Sequence, residues 1–259
     1  MSPLDAFLVT VIVAVAAKAG AWALQLRTRN AGLVDPIWAF TLGAIAVVYA
    51  ALGTAPAETR WAVGLMGGAW GLRLGAHLWA RNAGKPEDFR YAQFRAQWGA
   101  AADRNMFWFF QFQNVFTLLL SASAFLTVVF REANPPPAAF VLAGAVWLVA
   151  VAGEGLADRQ MEAFRANPMN RGRVCRDGLW RYSRHPNYFF ECVHWLAYVP
   201  LAWGAGAGWL ALAAPLIMAA LLLKLSGVPL LEQQMLARKP EYADYVRTTS
   251  VLVPWPPRP

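Results

Sequence analysis

The sequence predicts an all-α, polytopic integral membrane protein with seven transmembrane helices. Three observations carry that prediction. Of its 259 residues, 58% are hydrophobic and thirteen are Trp, with a mean hydropathy of +0.36; a soluble domain is nearer half apolar. The apolar residues gather into seven runs, each near the roughly 20 residues that a helix needs to cross a bilayer. Arg and Lys then concentrate in alternate loops, the bias that orients membrane proteins.

The first span covers residues 4–26 and ends before Arg27 and Arg29. It is too long and continuous for a cleaved signal peptide. The second, 33–52, carries Asp35 at its start, and Asp35-Pro36 suits a first helical turn, where Pro gives up a donor that has no partner there. The third, 61–81, contains Arg73 and His77. In the polar loop after it, Tyr91, Phe94 and Trp98 recur at near-helical spacing, which predicts an amphipathic interfacial helix. The fourth span, 106–130, opens on aromatics and carries Gln111, Asn114 and Ser121. Pro135-Pro136-Pro137 separates it from the fifth, 138–156. That helix is expected to run on through Arg165, because no breaker appears before Pro168. The sixth span is 188–203, the seventh 209–228, and a polar tail with Glu232, Tyr242, Tyr245 and Arg247 follows.

The basic loops follow the first, third and fifth spans, and the tail is basic too. This places the N-terminus outside and the C-terminus in the cytoplasm. The seven spans leave a single membrane-embedded domain and no room for a sizeable soluble one. A net charge of +8 and a pI of 9.9 would suggest nucleic acid in a soluble protein. In a membrane protein they record loops facing anionic lipid, so no nucleic-acid partner is expected. Cys175 and Cys192 form neither a metal-ligand pattern nor a disulfide framework, and no metal site is expected.

Residues 171–191 stand out. Arg171, Arg173, Arg176, Arg181 and Arg184 fall within fourteen residues, followed by His185, Asn187 and Glu191, and the stretch has no Lys. Either cation would mark a cytoplasmic loop, but the guanidinium fork grips phosphate with two bonds. A phosphate-bearing cofactor at the cytoplasmic face follows. On the extended fifth helix, Glu154, Asp158, Glu162 and Arg165 form one polar stripe. Glu162 is read as a solvated helix end, whereas Glu154 and Asp158 lie near the membrane boundary, where a carboxylate seeks a ligand or an Arg. No glycine-rich phosphate loop is present, so side chains on helices would hold any nucleotide. Within the membrane, Asp35 is read either as a snorkelling helix-start carboxylate or as part of a site. Arg73 and His77 share one helical face with Trp70 and could be scaffold, with Arg73 paired to Asp35, or chemistry. Gln111 and Asn114 could line a pocket or bond neighbouring helices.

The run Ser183-Arg184-His185-Pro186-Asn187-Tyr188 followed by Glu191 resembles the steroid 5α-reductase family and its sterol reductase relatives. Leu33-Val34-Asp35, Trp70-Gly71-Leu72-Arg73-Leu74 and Gly178-Leu179-Trp180-Arg181-Tyr182 match too. The tail, with Ser226-Gly227-Val228-Pro229, Glu232 and residues 242–254, looks like the family's bacterial branch. The resemblance implies a bacterial inner-membrane enzyme, a monomer, that uses NADPH to reduce the 4,5 double bond of a 3-oxo-Δ4-steroid or sterol-like lipid, such as progesterone or testosterone. It implies substrate-cavity helices in residues 1–130 and a cofactor-binding half in 131–259. The cofactor residues it implies are Glu154, Asp158, Arg165, Arg173, Tyr182, Arg184, His185, Asn187, Glu191 and Glu232. Asp35 sits where the family has a glutamate near the steroid carbonyl, and His77 where animal enzymes have a catalytic tyrosine. An Asp35–His77 pair is therefore the expected donor to the carbonyl, with Trp38, Trp70, Gln111 and Asn114 contacting substrate. Isoprenylcysteine carboxyl methyltransferases carry a similar S-R-H-P-x-Y run and bind S-adenosylmethionine, which makes a lipid methyltransferase the alternative.

Overall fold

The structure, a computed structural model, describes residues 1–258, and all regular structure among them is helical. The chain divides into two compact units, one of Met1–Phe140 with Tyr198–Ala214 and the other of Val141–Ala197 with Pro215–Pro259. The segment 198–214 belongs with the first unit.

The first unit begins with α1 (Pro3–Thr28), opened by a capping box in which Ser2 and Asp5 satisfy each other's backbone amides. Arg29 ends it in the left-handed region at φ 53°. Asn30 caps a 3₁₀ turn, Ala31–Leu33, that leads into α2 (Val34–Leu52). Next comes α3 (Ala57–Asn82), which packs on α2 through small residues. A Cβ on Gly71 would lie 2.6 Å from the Gly43 Cα, and one on Gly67 would lie 2.4 Å from the Ala46 Cβ. Such close backbone approach is how membrane helices gain packing energy without a hydrophobic drive between them.

The helix expected in the loop after α3 is α4 (Phe89–Trp98), with Asp88 accepting from the Arg90 amide at its start. Tyr91, Phe94 and Trp98 pack with Ala21, Val34, Met106 and Phe110, so the aromatic stripe faces protein. After it, α5 (Ala102–Ser121) runs through a π-helical turn, Ala122–Leu126, into α6 (Thr127–Val129). Ser121, Ser123 and Thr127 bond back to carbonyls three or four residues earlier along that turn.

In the second unit α7 (Pro137–Ala166) runs on past the apolar stretch as expected, and α8 (Pro186–Leu196) follows the Arg-rich loop. Phe190 of α8 lies over Gly153 of α7, where a Cβ would come within 2.3 Å of its ring. The sixth expected span breaks at Ala197. The short α9 (Tyr198–Ala202) belongs to the first unit, where Tyr198 meets Phe125 edge-on at 4.9 Å. A 3₁₀ stretch, Gly208–Leu212, leads to α10 (Ala213–Ala220), a π-turn at Leu221–Leu225, α11 (Val228–Arg238) and α12 (Tyr242–Thr248).

Among the described residues, five helical stretches are long and apolar enough to cross a membrane: Pro3–Thr28, Ala31–Leu52, Phe89–Val129, Pro137–Ala166 and Gly208–Arg238. α3 is long enough, but five glycines, Arg73 and His77 dilute its hydropathy. The break at Ala197 leaves the sixth run as two short helices.

Candidate functional site

In the first unit a loop clasp builds the site. The Asn30 side-chain amide donates to the carbonyls of Asn82 and Lys85, both at 3.1 Å. Glu87 accepts from the Ala31 amide at 2.7 Å and from Arg95 at 2.9 Å. These bonds bring the segment after α3 back to the start of α2, so that α4 opens beside Asp35. The Tyr91 hydroxyl donates to Asp35 Oδ1 at 2.6 Å, and Arg90 donates to Asp35 Oδ2 at 2.8 Å. Tyr91 is 4% exposed and has Phe109 and Phe110 edge-on, each 6.4 Å away. Arg90 also holds Asp88 at 2.8 Å. Burial works to raise the Asp88 carboxyl, but the hydrogen bond and charge of Arg90 outweigh it and keep Asp88 below its ordinary value.

The expected Asp35–His77 donor pair does not form, nor does an ion pair of Asp35 with Arg73. Both Asp35 oxygens are taken by α4 residues because the clasp delivers Arg90 and Tyr91 to the first turn of α2. His77 and Arg73 stand half-buried on α3. Trp38 and Trp70 do meet, edge to face at 6.2 Å, and Trp70 is fully buried. Gln111 and Asn114 bond to each other at 3.0 Å, and the Gln111 amide reaches the Val15 carbonyl at 3.4 Å. In the sequence Tyr91 and Arg90 are legible only as an aromatic on a helical face and a loop cation. The available signal is that a buried tyrosine needs a partner for its hydroxyl.

In the second unit the expected cofactor residues separate into two groups. Arg184, His185 and Glu232 form a buried knot. Arg184 grips Glu232 with two bonds, at 2.6 and 3.2 Å, and His185 Nε2 lies 3.0 Å from Glu232 Oε1. Arg184 also donates to the carbonyls of Val246 and Thr249, and its amide donates to the Ser250 carbonyl at 2.8 Å. Ser183 donates to the Leu252 carbonyl at 2.7 Å. In place of the cofactor contact expected of Arg184 and Glu232, their polar groups are spent on each other and on tying the tail to α8. His185 is buried with them and stacks on Tyr188.

Of the remaining residues, Arg165 and Arg173 line surface clefts, whereas Glu154, Asp158 and Glu191 are buried. Arg165, Arg171, Asn167, Asn170 and Lys239 line a cleft of about 440 Å³. Arg173, Arg176 and Glu241 line a neighbouring one of about 330 Å³, which shares Phe164 and Asn170. Among the described residues the side chains of Arg171 and Arg173 form no hydrogen bond or ion pair. Burial, with the Arg165 charge beside it, pulls the Lys239 ammonium below its ordinary value. The Asn187 amide, at the first turn of α8, and the hydroxyl of the exposed Tyr182 make no side-chain hydrogen bond among the described residues. Glu154, Asp158 and Glu191 are buried, Glu154 and Glu191 each next in sequence to the Gly153–Phe190 contact, and Glu191 accepts from the Trp195 indole at 2.9 Å. No grouping of His, Cys, Asp and Glu among the described residues could hold a metal.

A family model described as protein of unknown function (DUF1295) matches residues 21–249 of the chain. No curated protein and no solved structure matches the chain. Because the match runs from the end of α1 to α12, it takes in both the Asp35 clasp and the basic clefts. The chain belongs to the family of proteins of unknown function DUF1295.

Proposed function

We propose that this protein is an NADPH-dependent membrane reductase of an enone lipid, acting on the 4,5 double bond of a 3-oxo-Δ4-steroid or a molecule of like shape. Seven crossings, an outside N-terminus and a cytoplasmic C-terminus complete the reading. The observation that carries it is the buried Tyr91 hydroxyl held on Asp35 at 2.6 Å with Arg90 on the same carboxylate. Reduction of an enone builds negative charge on its ketone oxygen, and a preoriented donor in a water-poor site lowers that barrier. Tyr91 becomes that donor by turning its one hydrogen from Asp35 to the ketone oxygen, and Arg90 holds the Asp35 carboxylate that it leaves. Tyr91 takes the role expected of His77.

The basic clefts of the second unit have the donor set that phosphate groups require, with the Arg171 and Arg173 guanidiniums holding capacity to spare. Arg165, Arg171 and Arg173 would hold the phosphates of NADPH, while Asn187, Tyr182 and the carboxylates Glu154, Asp158 and Glu191 would bond its amide and ribose hydroxyls. NADPH when bound supplies the hydride, and the protein supplies alignment and polarisation.

The test is cofactor identity followed by turnover. Purified protein in detergent is titrated with NADPH, NADH and S-adenosylmethionine, and progesterone is then added while absorbance at the nicotinamide band is followed. Saturable NADPH binding with enone-dependent oxidation supports the reductase. Binding of S-adenosylmethionine in place of NADPH refutes it in favour of a methyltransferase.

A further inference from the structure

Lys18 lies on α1 ten residues before the helix ends, so about 15 Å from that end at 1.5 Å per residue. It is fully buried, on the α1 stripe of Ala6, Thr10, Ala14, Lys18, Ala21 and Gln25. A lysine at this depth is costly, and the charge of Asp35 acts on this one without a direct bond. Here the ammonium makes one hydrogen bond, to the neutral oxygen of Gln113 at 3.0 Å, which leaves two of its three donors unspent. Across from α1, the buried stripe of α5 includes Phe110, Asn114 and Thr117. Asn114 is 5% exposed, its amide nitrogen bonds Gln111, and its Oδ1 is buried with no hydrogen-bond partner among the described residues. An ammonium with spare donors and an amide oxygen with spare lone pairs thus share the interior of one helix pair. Both are expensive to leave unmet.

We infer that Lys18 and Asn114 form a second polar subsite in the first unit, which receives a hydroxyl at the end of the substrate remote from its enone. The hydroxyl oxygen accepts from Lys18 and its hydrogen goes to Asn114 Oδ1, meeting both open capacities at once. A ketone there can only accept, so it satisfies Lys18 and leaves Asn114 unmet. A hydrocarbon end satisfies neither. The inference rests on the enone-lipid reading, and it narrows the substrate class to flat lipids oxygenated at both ends.

The test is equilibrium dialysis of the full-length protein in detergent against three ligands that differ only at the remote end. These are testosterone, with a hydroxyl; androst-4-ene-3,17-dione, with a ketone; and androst-4-en-3-one, with no oxygen. Wild-type protein is expected to bind testosterone about tenfold or more tightly than androst-4-en-3-one, with the dione between. Lys18→Met should bring the dione to within about twofold of androst-4-en-3-one and leave testosterone ahead through Asn114 alone, whereas Asn114→Leu should bring testosterone level with the dione. Equal binding of the three by wild type, binding of none, or an advantage of the dione over androst-4-en-3-one that survives Lys18→Met overturns the inference. The wild-type ladder needs no variant to fold. If the ladder appears but no ligand drives NADPH oxidation, the reductase reading falls and the subsite stands. Oxidation without a ladder removes the subsite and leaves the reductase standing.

Discussion

The hydroxyl of Tyr91 and the carboxylate of Asp35 meet at 2.6 Å although 56 residues separate them in the chain. The contact exists because two asparagines and Glu87 fold the loop after α3 back onto the start of α2. It places a buried phenol on the carboxylate at the start of α2, the arrangement on which the proposed reductase reading rests.

Tyr91→Phe removes the donor and keeps the ring packed on Phe109 and Phe110. Loss of one such donor costs about 10²-fold in kcat. Steady-state turnover of an enone should show that drop, NADPH affinity should hold, and His77→Phe should cost less than Tyr91→Phe. The reverse order of the two variants would return the donor role to His77.

Arg171→Ala combined with Arg173→Ala should weaken NADPH about tenfold or more, from the loss of charge-assisted bonds. NADH should be affected less, and added salt should weaken wild-type binding because the cleft is open to solvent. Isothermal titration at two ionic strengths reads both effects.

Arg184→Ala strands Glu232 with half of its partners and unties the tail. Breaking a buried ion pair costs about 3–5 kcal/mol. A large fall in melting temperature is expected, and Arg184→Lys should recover little, because it cannot reproduce the two-bond grip on Glu232 together with the bonds to Val246 and Thr249. Wild-type stability in Arg184→Ala would show that the knot is dispensable.

Gly71→Ala forces a methyl to within 2.6 Å of the Gly43 Cα and should destabilise by about 1–3 kcal/mol. Gly20→Ala on the exposed side of α1 meets nothing within 4 Å and should be neutral or stabilising, by up to about 1 kcal/mol. Melting curves of the two variants side by side separate close packing from helix propensity.

Asp88 titrates below its unfolded value of about 3.9. Its contribution is therefore complete above that value and is lost as pH falls through the lower, folded one. Hydrogen exchange at the amides of Tyr91 and Ala92, which donate to the Asp88 carbonyl, should quicken in acid below about pH 4. Asp88→Asn should show no such acid step.

Sequence by itself determined the helical class, the bounds of α1, α2 and α7 to within a few residues, and the presence of a helix at α4. Each of these is a local matter: an apolar run, a capping Ser or Pro, an aromatic repeat at helical spacing. Sequence likewise singled out Asp35, the Arg-rich loop and the Gln111–Asn114 pair as candidates, each with a structural alternative. It did not decide which polar groups would be spent on one another. Arg184 and Arg173 look alike in the loop, yet one is locked onto Glu232 and the tail carbonyls while the other faces an open cleft. Asp35 and His77 have fitting spacing, yet the clasp hands Asp35 to Tyr91. Lys18 reads as an interruption in an apolar run until the burial of its helix face puts it beside α5. Partner choice among polar side chains depends on distances of a few ångström between segments far apart in the chain. Only the tertiary fold sets those distances, because hydrogen bonding and ion pairing decay within them whereas hydrophobic periodicity does not depend on them.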